Sequence, residues 1–430
     1  MEKYKATSKE NVKEEFKMSV KVLITGANYN NKGAQAMLFV CVDEIKKRVP
    51  DCDIYFGCGT GDPKLDNVSF KQICFSREGR YIALGGGQAV FNFFVAIAKG
   101  CIQFIKGKRH NLFRLWDVKK YIKTMDLIVD VSGFALGDKW SKRTNENFLN
   151  IIRLAKKNNV PIYIMPQSFG PFEFSEELSY LKEEIADLLR YPIQIFAREK
   201  EGYELLTKDF GLNNVVQSYD LVLQNKGVDL KNVFQSTPEI SVPDIQTEHN
   251  VGIVPNKQCF RHGEEEDVLE KYKVIIQELL SRDKEVYLFR HSGEDLVYCK
   301  KIADMFADEP RVHFLQNNFS CLEYDAFVKK FEFIICSRFH GIVHAYKNYV
   351  PVIALGWAVK YRELTEAVGQ SSYIFDITAK NCKKEQIVEA VKKMIDQADI
   401  ERKTIQEHVN KIQTENCFEC ISEWVKNRNE

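Results

Sequence analysis

The chain has 430 residues, too many for one ordinary hydrophobic core, so two domains of about 200 residues each are expected. Apolar residues at 45% and charged residues at 28% are the composition of a globular fold, and a formal net charge of +1 argues against a dedicated nucleic-acid binder. Small molecules and sugars remain as the expected partners.

Residues 1–18 mix lysine and glutamate without an apolar core, which predicts a flexible arm rather than a secretory leader. A cytoplasmic location follows as the expectation, and the 12 cysteines then read as reduced, mostly buried thiols. Cys417 and Cys420 form a CxxC without a second ligand pair, so no metal is expected there.

The first strand is predicted over 20–25, then a helix over 34–47 and a strand over 53–56. An apolar run at 89–105 follows within an insert spanning 81–123. It contains Phe91, Phe93, Phe94, Val95, Ile97, Ile102, Phe104 and Ile105, and Lys106, Lys108, Arg109 and His110 come directly after. Two readings stand: peripheral contact with an anionic membrane at its inner face, or a buried helical hairpin between domains.

Strands over 127–131, 161–165 and 194–197 alternate with helices over 145–157 and 175–189, the pattern of βαβ units and a parallel sheet covered on both faces. This defines an N-terminal domain, 19–235. A polar stretch with Pro238 and Pro243 then predicts a linker over 236–248. A second alternating set fills 249–399, with strands near 251–254, 285–290, 312–315, 333–336, 350–355 and 373–377. A separate amphipathic helix is expected over 400–430. The fold class expected is α/β, with two Rossmann-like domains facing across a cleft in a GT-B-like arrangement.

The sequence Ser337-Arg338-Phe339-His340-Gly341 stands where an apolar run ends and a helix should begin. Unpaired helical amides, the positive end of the helix dipole and Arg338 would meet there on one carboxylate or phosphate, with His340 near enough to move a proton. His340 as a core or capping histidine is the alternative. His340 and His344 share a helical face, but no third ligand and no HExxH glutamate accompany them, so no metal is expected.

The loop 26–33 follows the first strand and offers glycines, Asn31 and Lys32 to an anionic or sugar ligand, or forms a mere turn. It fails GxGxxG, and Lys32 precedes glycine rather than Ser or Thr, so a nucleotide cofactor loses support. Asp130, before Ser132-Gly133, would accept a sugar hydroxyl or cap a helix. Gln167 and Ser168 present an amide and a hydroxyl after the 161–165 strand. Arg198 either pairs with Glu199 or another acid, or meets a substrate anion.

Together, 26–33, 130–133, 167–172, Arg198-Glu199, Asp220 and above all 337–341 with Pro351 and Lys360 resemble the polysaccharide pyruvyl transferases. Two departures fall on the presumed acceptor side: Ala34, where the family commonly has aspartate, and Ser132-Gly133-Phe134, where it has a glycine run. The resemblance implies transfer of pyruvate from phosphoenolpyruvate to a sugar or lipid-linked oligosaccharide as a ketal, in bacterial surface-polysaccharide assembly, without a cofactor. It implies His340 and Arg338 as catalytic residues. Arg198, Phe339, Ser337, Gln167, Ser168, Asp130, Asn31, Lys32 and Lys360 are the implied substrate contacts. On chemical grounds Arg198 and Arg338 would neutralise the donor's carboxylate and phosphate from opposite walls while His340 protonates its methylene carbon. A nucleotide-sugar glycosyltransferase and a non-catalytic binding subunit are the competing readings.

Overall fold

Runs of β-branched and aromatic residues form two parallel sheets in the computed structural model, which describes residues 19–59, 64–105, 112–245, 249–356 and 358–429. The expected arm (1–18), the basic residues 106–110 and part of the expected linker (246–248) lie outside them. The first sheet contains β1 (Lys21–Thr25), β2 (Asp53–Cys58), β3 (Lys71–Cys74), β4 (Leu127–Asp130), β5 (Phe134–Leu136), β6 (Ile162–Phe169), β7 (Gln194–Ala197) and β8 (Val215–Gln217). Its order is β3-β2-β1-β4-β6-β7-β8, with β5 paired to β6. The second contains β9 (Asn250–Val254), β10 (Glu285–Leu288), β11 (Val312–Phe314), β12 (Phe333–Cys336), β13 (Val352–Leu355) and β14 (Ile374–Phe375), in the order β11-β10-β9-β12-β13-β14. Every ladder in both sheets is parallel.

The central strands explain that choice. β4 (LIVD) and β12 (FIIC) are buried at every residue, so helices must cover both faces. Strand order reverses between β1 and β4 and again between β9 and β12, and in such sheets ligand loops gather at the carboxyl ends flanking the reversal. The loops after β1, β4 and β12 are those carrying Asn31, Ser132 and Arg338.

The two halves share core. One apolar cluster joins Met37 and Phe39 of the Lys32–Arg48 helix to Phe289, Tyr324, Phe327 and Ile342 from the second half. That helix is buried from Lys32 through Ile45, as expected of an element covered by both sheets' domains rather than by one.

Three readings need correction. Gln167 and Ser168 lie within β6, not in a loop beyond it; β6 continues because Gln167 pairs with Ala197 across a register shift. The helix expected to start at Ile400 does not exist as a unit. A single helix runs Lys384–Ile412, since nothing at 397–400 breaks it, and a second, Glu419–Asn429, follows a short turn. That last helix returns to the first half, where the Tyr163 hydroxyl donates to the Cys420 carbonyl (3.2 Å) and Arg48 pairs with Glu419 (2.5 Å).

The third correction concerns the apolar run. It forms a helix, Gly87–Ile105, that packs on the flank of the first half against the Arg77–Leu84 helix and the Leu112–Trp116 turn, not as a buried hairpin between domains. No described helix is long and apolar enough to cross a membrane.

Candidate active site

The β12 turn is fixed from beneath. The Ser337 hydroxyl shares a 2.8 Å hydrogen bond with Tyr272, and its carbonyl accepts from Asn256 Nδ2 (2.9 Å) and the Tyr361 hydroxyl (3.0 Å). Ser337 is therefore a buried support for the turn. The next residue caps the Phe339–Lys347 helix and swings its guanidinium onto acids. Arg338 Nε donates to Asp295 Oδ2 (2.8 Å), and Nη2 donates to Asp295 Oδ1 (2.5 Å) and Glu294 Oε1 (2.8 Å). Asp295 itself is locked by the amides of Ser292 and Lys257.

Arg198, at the end of β7, is equally committed. Nε donates to Glu199 Oε1 (2.9 Å), Nη1 to Asp220 Oδ2 (2.8 Å) and Nη2 to the Ser168 hydroxyl (2.6 Å). The Phe339 ring lies 4.2 Å from the guanidinium carbon, a cation–π contact worth about 0.5–2 kcal/mol. Of the two expected environments for Arg198, the structure has the paired one. The Asp220 carboxylate reaches further: Oδ2 lies 3.6 Å from His340 Nε2, joining the first half to the second.

Burial pushes the His340 imidazole down to about 3 despite the Asp220 charge, so it is neutral at pH 7. Burial alone would raise Asp220, yet His340 and Arg198 bring its carboxyl below the usual range. The imidazole rests on Gly33: a Cβ there would lie 2.2 Å from His340 Cγ, so only glycine allows the approach.

Lys360 differs from both arginines. Among the described residues its ammonium has no carboxylate within ion-pair distance and no hydrogen-bond acceptor. It lies 5.4 Å from the ring centres of both Phe134 and Phe339. Burial, then the positive charges of Arg198 and Arg338, push it down to about 8. A cleft of about 580 Å³ opens here, lined in part by Arg198, Tyr219, Asp220, Phe339, Lys360 and Glu363.

The remaining expected contacts divide. Gln167 is fully buried, and among the described residues neither its amide oxygen nor its nitrogen has a hydrogen-bond partner. Lys32 Nζ donates to the His291 carbonyl (2.6 Å) across the two halves, and burial, then Arg290, push it down to about 8. Asn31 caps its helix by accepting from Gly33 N (2.9 Å) and Ala34 N (3.3 Å). Asp130 accepts from the Thr25 hydroxyl (2.7 Å) and Ser132 N (3.1 Å). Thus Arg198, Ser168, Phe339, His340 and Lys360 come together, whereas Asn31 and Asp130 serve their own loops. His344 Nδ1 bonds Asp325 Oδ1 (2.9 Å) on the helix's inner side.

Sequence reasoning missed Glu294, Asp295 and Glu363. Asp295 carried a local signal, since it forms a capping box with Ser292. Glu363 had none: it accepts from the amides of Lys200 (2.6 Å) and Glu201 (3.3 Å) on the opposite half.

A family model described as polysaccharide pyruvyl transferase matches residues 31–358, a span holding all of these groups except Lys360, Tyr361 and Glu363, which lie just beyond it. The chain belongs to the polysaccharide pyruvyl transferase family. No curated protein matches it. Solved structures with the same fold include the S. aureus MnaA–UDP complex, at 12% identity and a TM-score of 0.52, covering 90% of each chain. UDP-GlcNAc 2-epimerase from Neisseria meningitidis bound to UDP-GlcNAc has 12% identity and a TM-score of 0.51, covering 90% of this chain and 94% of that one. At such identities these GT-B neighbours show the architecture of this pyruvyl transferase and nothing of its ligands.

Two buried neutral histidines give the transferase an acid-sensitive fold. Burial, then the charge of Lys32, hold His291 well below its ordinary value of 6.5, and His340 is likewise depressed. The unfolded chain binds protons at these groups first, so unfolding free energy should fall as pH drops below 6.5. The slope is up to about 1.4 kcal/mol per pH unit for each histidine. Urea titrations from pH 7 to pH 5 check this, with His291→Gln expected to flatten the slope.

Proposed function

We propose that this pyruvyl transferase moves the pyruvyl group of phosphoenolpyruvate onto two hydroxyls of a sugar, in the cytoplasm, during bacterial surface-polysaccharide assembly. One observation carries the reading: an ammonium without an acid partner, Lys360, stands beside the ring that stacks on Arg198 and adjoins His340. Both arginines already have carboxylate partners, whereas the Lys360 ammonium has no carboxylate within ion-pair distance among the described residues. A donor anion would bind there first, with Arg198 and Arg338 adding field rather than free donors.

The arriving anion stabilises a protonated His340, which is neutral beforehand. The imidazolium gives its proton to the donor's methylene carbon, the π pair forming the new C–H bond and leaving C2 cationic. A sugar hydroxyl oxygen bonds to C2, and its proton returns to the imidazole. The C2–O bond to phosphate breaks with its electron pair, a second hydroxyl closes the ketal, and its proton leaves with phosphate. Phosphoenolpyruvate and a diol become a pyruvate ketal and hydrogen phosphate, with no cofactor required.

Phosphoenolpyruvate, but not UDP-GlcNAc, should raise the melting temperature; the reverse result would favour a nucleotide-sugar transferase. Binding without phosphate release across acceptor sugars would favour a non-catalytic subunit. Lys360→Met should weaken donor affinity about 10- to 100-fold, the value of one charge-assisted contact. With a free-state value of about 8, Lys360 is largely neutral at pH 9, and anion binding raises it, so the parent takes up close to one proton there. Calorimetry in two buffers of different ionisation enthalpy should show the uptake smaller by close to one proton in the variant.

A further inference from the structure

The Gly87–Ile105 helix is amphipathic in the inverted sense. Its small or polar residues Asn92, Ala96 and Gly100 face inward, while Phe91, Phe94, Ala98, Ile102 and Ile105 form one exposed stripe at helical spacing. Phe91 is 63% exposed, Phe94 62% and Ile105 83%. Trp116 extends the patch, its ring 5.8 Å from Phe93. A stripe of this size on a water-facing helix marks a docking surface.

Charge identifies the occupant. Between Gly79 and Met125 the sequence holds nine lysines and arginines and a single acid, Asp117, in a chain whose net charge is only +1. Asp117 is itself paired with Arg114 (3.5 Å), and Lys99 pairs with Glu78 just before this stretch (2.5 Å), whereas Lys119, Lys120 and Lys123 are exposed. Two copies meeting through this face would bring like charges together, which opposes self-association. A surface rich in anionic headgroups with an apolar layer beneath satisfies both the lysines and the stripe. At the helix end an aromatic of the Trp116 kind suits the headgroup level.

We infer that this helix lies flat in an anionic lipid leaflet, with Phe91, Phe94 and Ile102 inserted and Lys119 and Lys120 at the headgroups. Docking does not depend on the proposed pyruvyl transfer. Its extension does: the acceptor class that fits such an anchor is a lipid-linked saccharide.

The test is co-sedimentation of the full chain with vesicles of phosphatidylglycerol and phosphatidylcholine, against vesicles of phosphatidylcholine alone. Partitioning should be at least about tenfold stronger on the anionic vesicles and fall with added salt. Phe91→Ser, Phe94→Ser and Ile102→Ser together should reduce it about a hundredfold, and Lys119→Glu with Lys120→Glu about tenfold, both at an unchanged melting temperature. Equal binding to neutral vesicles, no binding to either, or a dimer that the triple serine variant dissolves would each overturn the inference. Since no turnover is measured, these outcomes are independent of whether phosphoenolpyruvate proves to be the donor.

Discussion

Replacing His340 with glutamine should lower kcat about a hundred- to ten-thousandfold while changing donor affinity only about threefold. Glutamine fills the space beside Gly33 and keeps a polar group toward Asp220, but it has no proton to transfer. The pH profile separates this from a structural defect. Free His340 titrates near 3, so at neutral pH the reactive form must gain its proton during binding. kcat/KM should therefore fall about tenfold per pH unit as pH rises through neutrality, and the variant's residual activity should lose that slope. Phosphate release measured from pH 6 to pH 8 decides it; the parental rate in the variant would remove His340 from the chemistry.

Removing Arg198 should cost about 3–5 kcal/mol of stability, because Arg198→Ala leaves Asp220 and Glu199 buried without their counter-charge. The sign of the pH dependence is fixed by Asp220. Its folded value lies below the ordinary one, so its contribution is present at neutral pH and is lost as the solution becomes acidic enough to protonate it. Without Arg198 that carboxyl protonates more readily, and the deficit should shrink between pH 7 and pH 4. Arg198→Lys keeps the charge but not the three-way fork to Ser168, Glu199 and Asp220, and should recover only part of the loss. Urea denaturation at the two pH values measures both effects. A variant as stable as the parent would show that the buried acids are held by something other than Arg198.

The central strands were legible because full burial demands continuous apolar runs, as in LIVD and FIIC. β3 (KQIC), β5 and β8 were not, since they are short and one carries lysine and glutamine. The Lys384–Ile412 helix runs through the boundary expected before residue 400, where no glycine or proline stands to break it. Ser337 to Gly341 announced a strand-to-helix turn, and it is one. What local spacing cannot show is a partner 43 residues away, and so the Asp295 that holds Arg338 went unseen. The same blindness applies to Lys360, whose distinction is the lack of any such partner among the described residues.

The return of the Glu419–Asn429 helix to the first half means that the backbone passes between the halves twice, once near 236–245 and once near 413–418. Cleaving the polypeptide just after Ile412 would remove one of the two covalent ties, leaving the 236–245 segment and the apolar cluster around Met37, Phe289 and Ile342 to keep His340 beside Asp220.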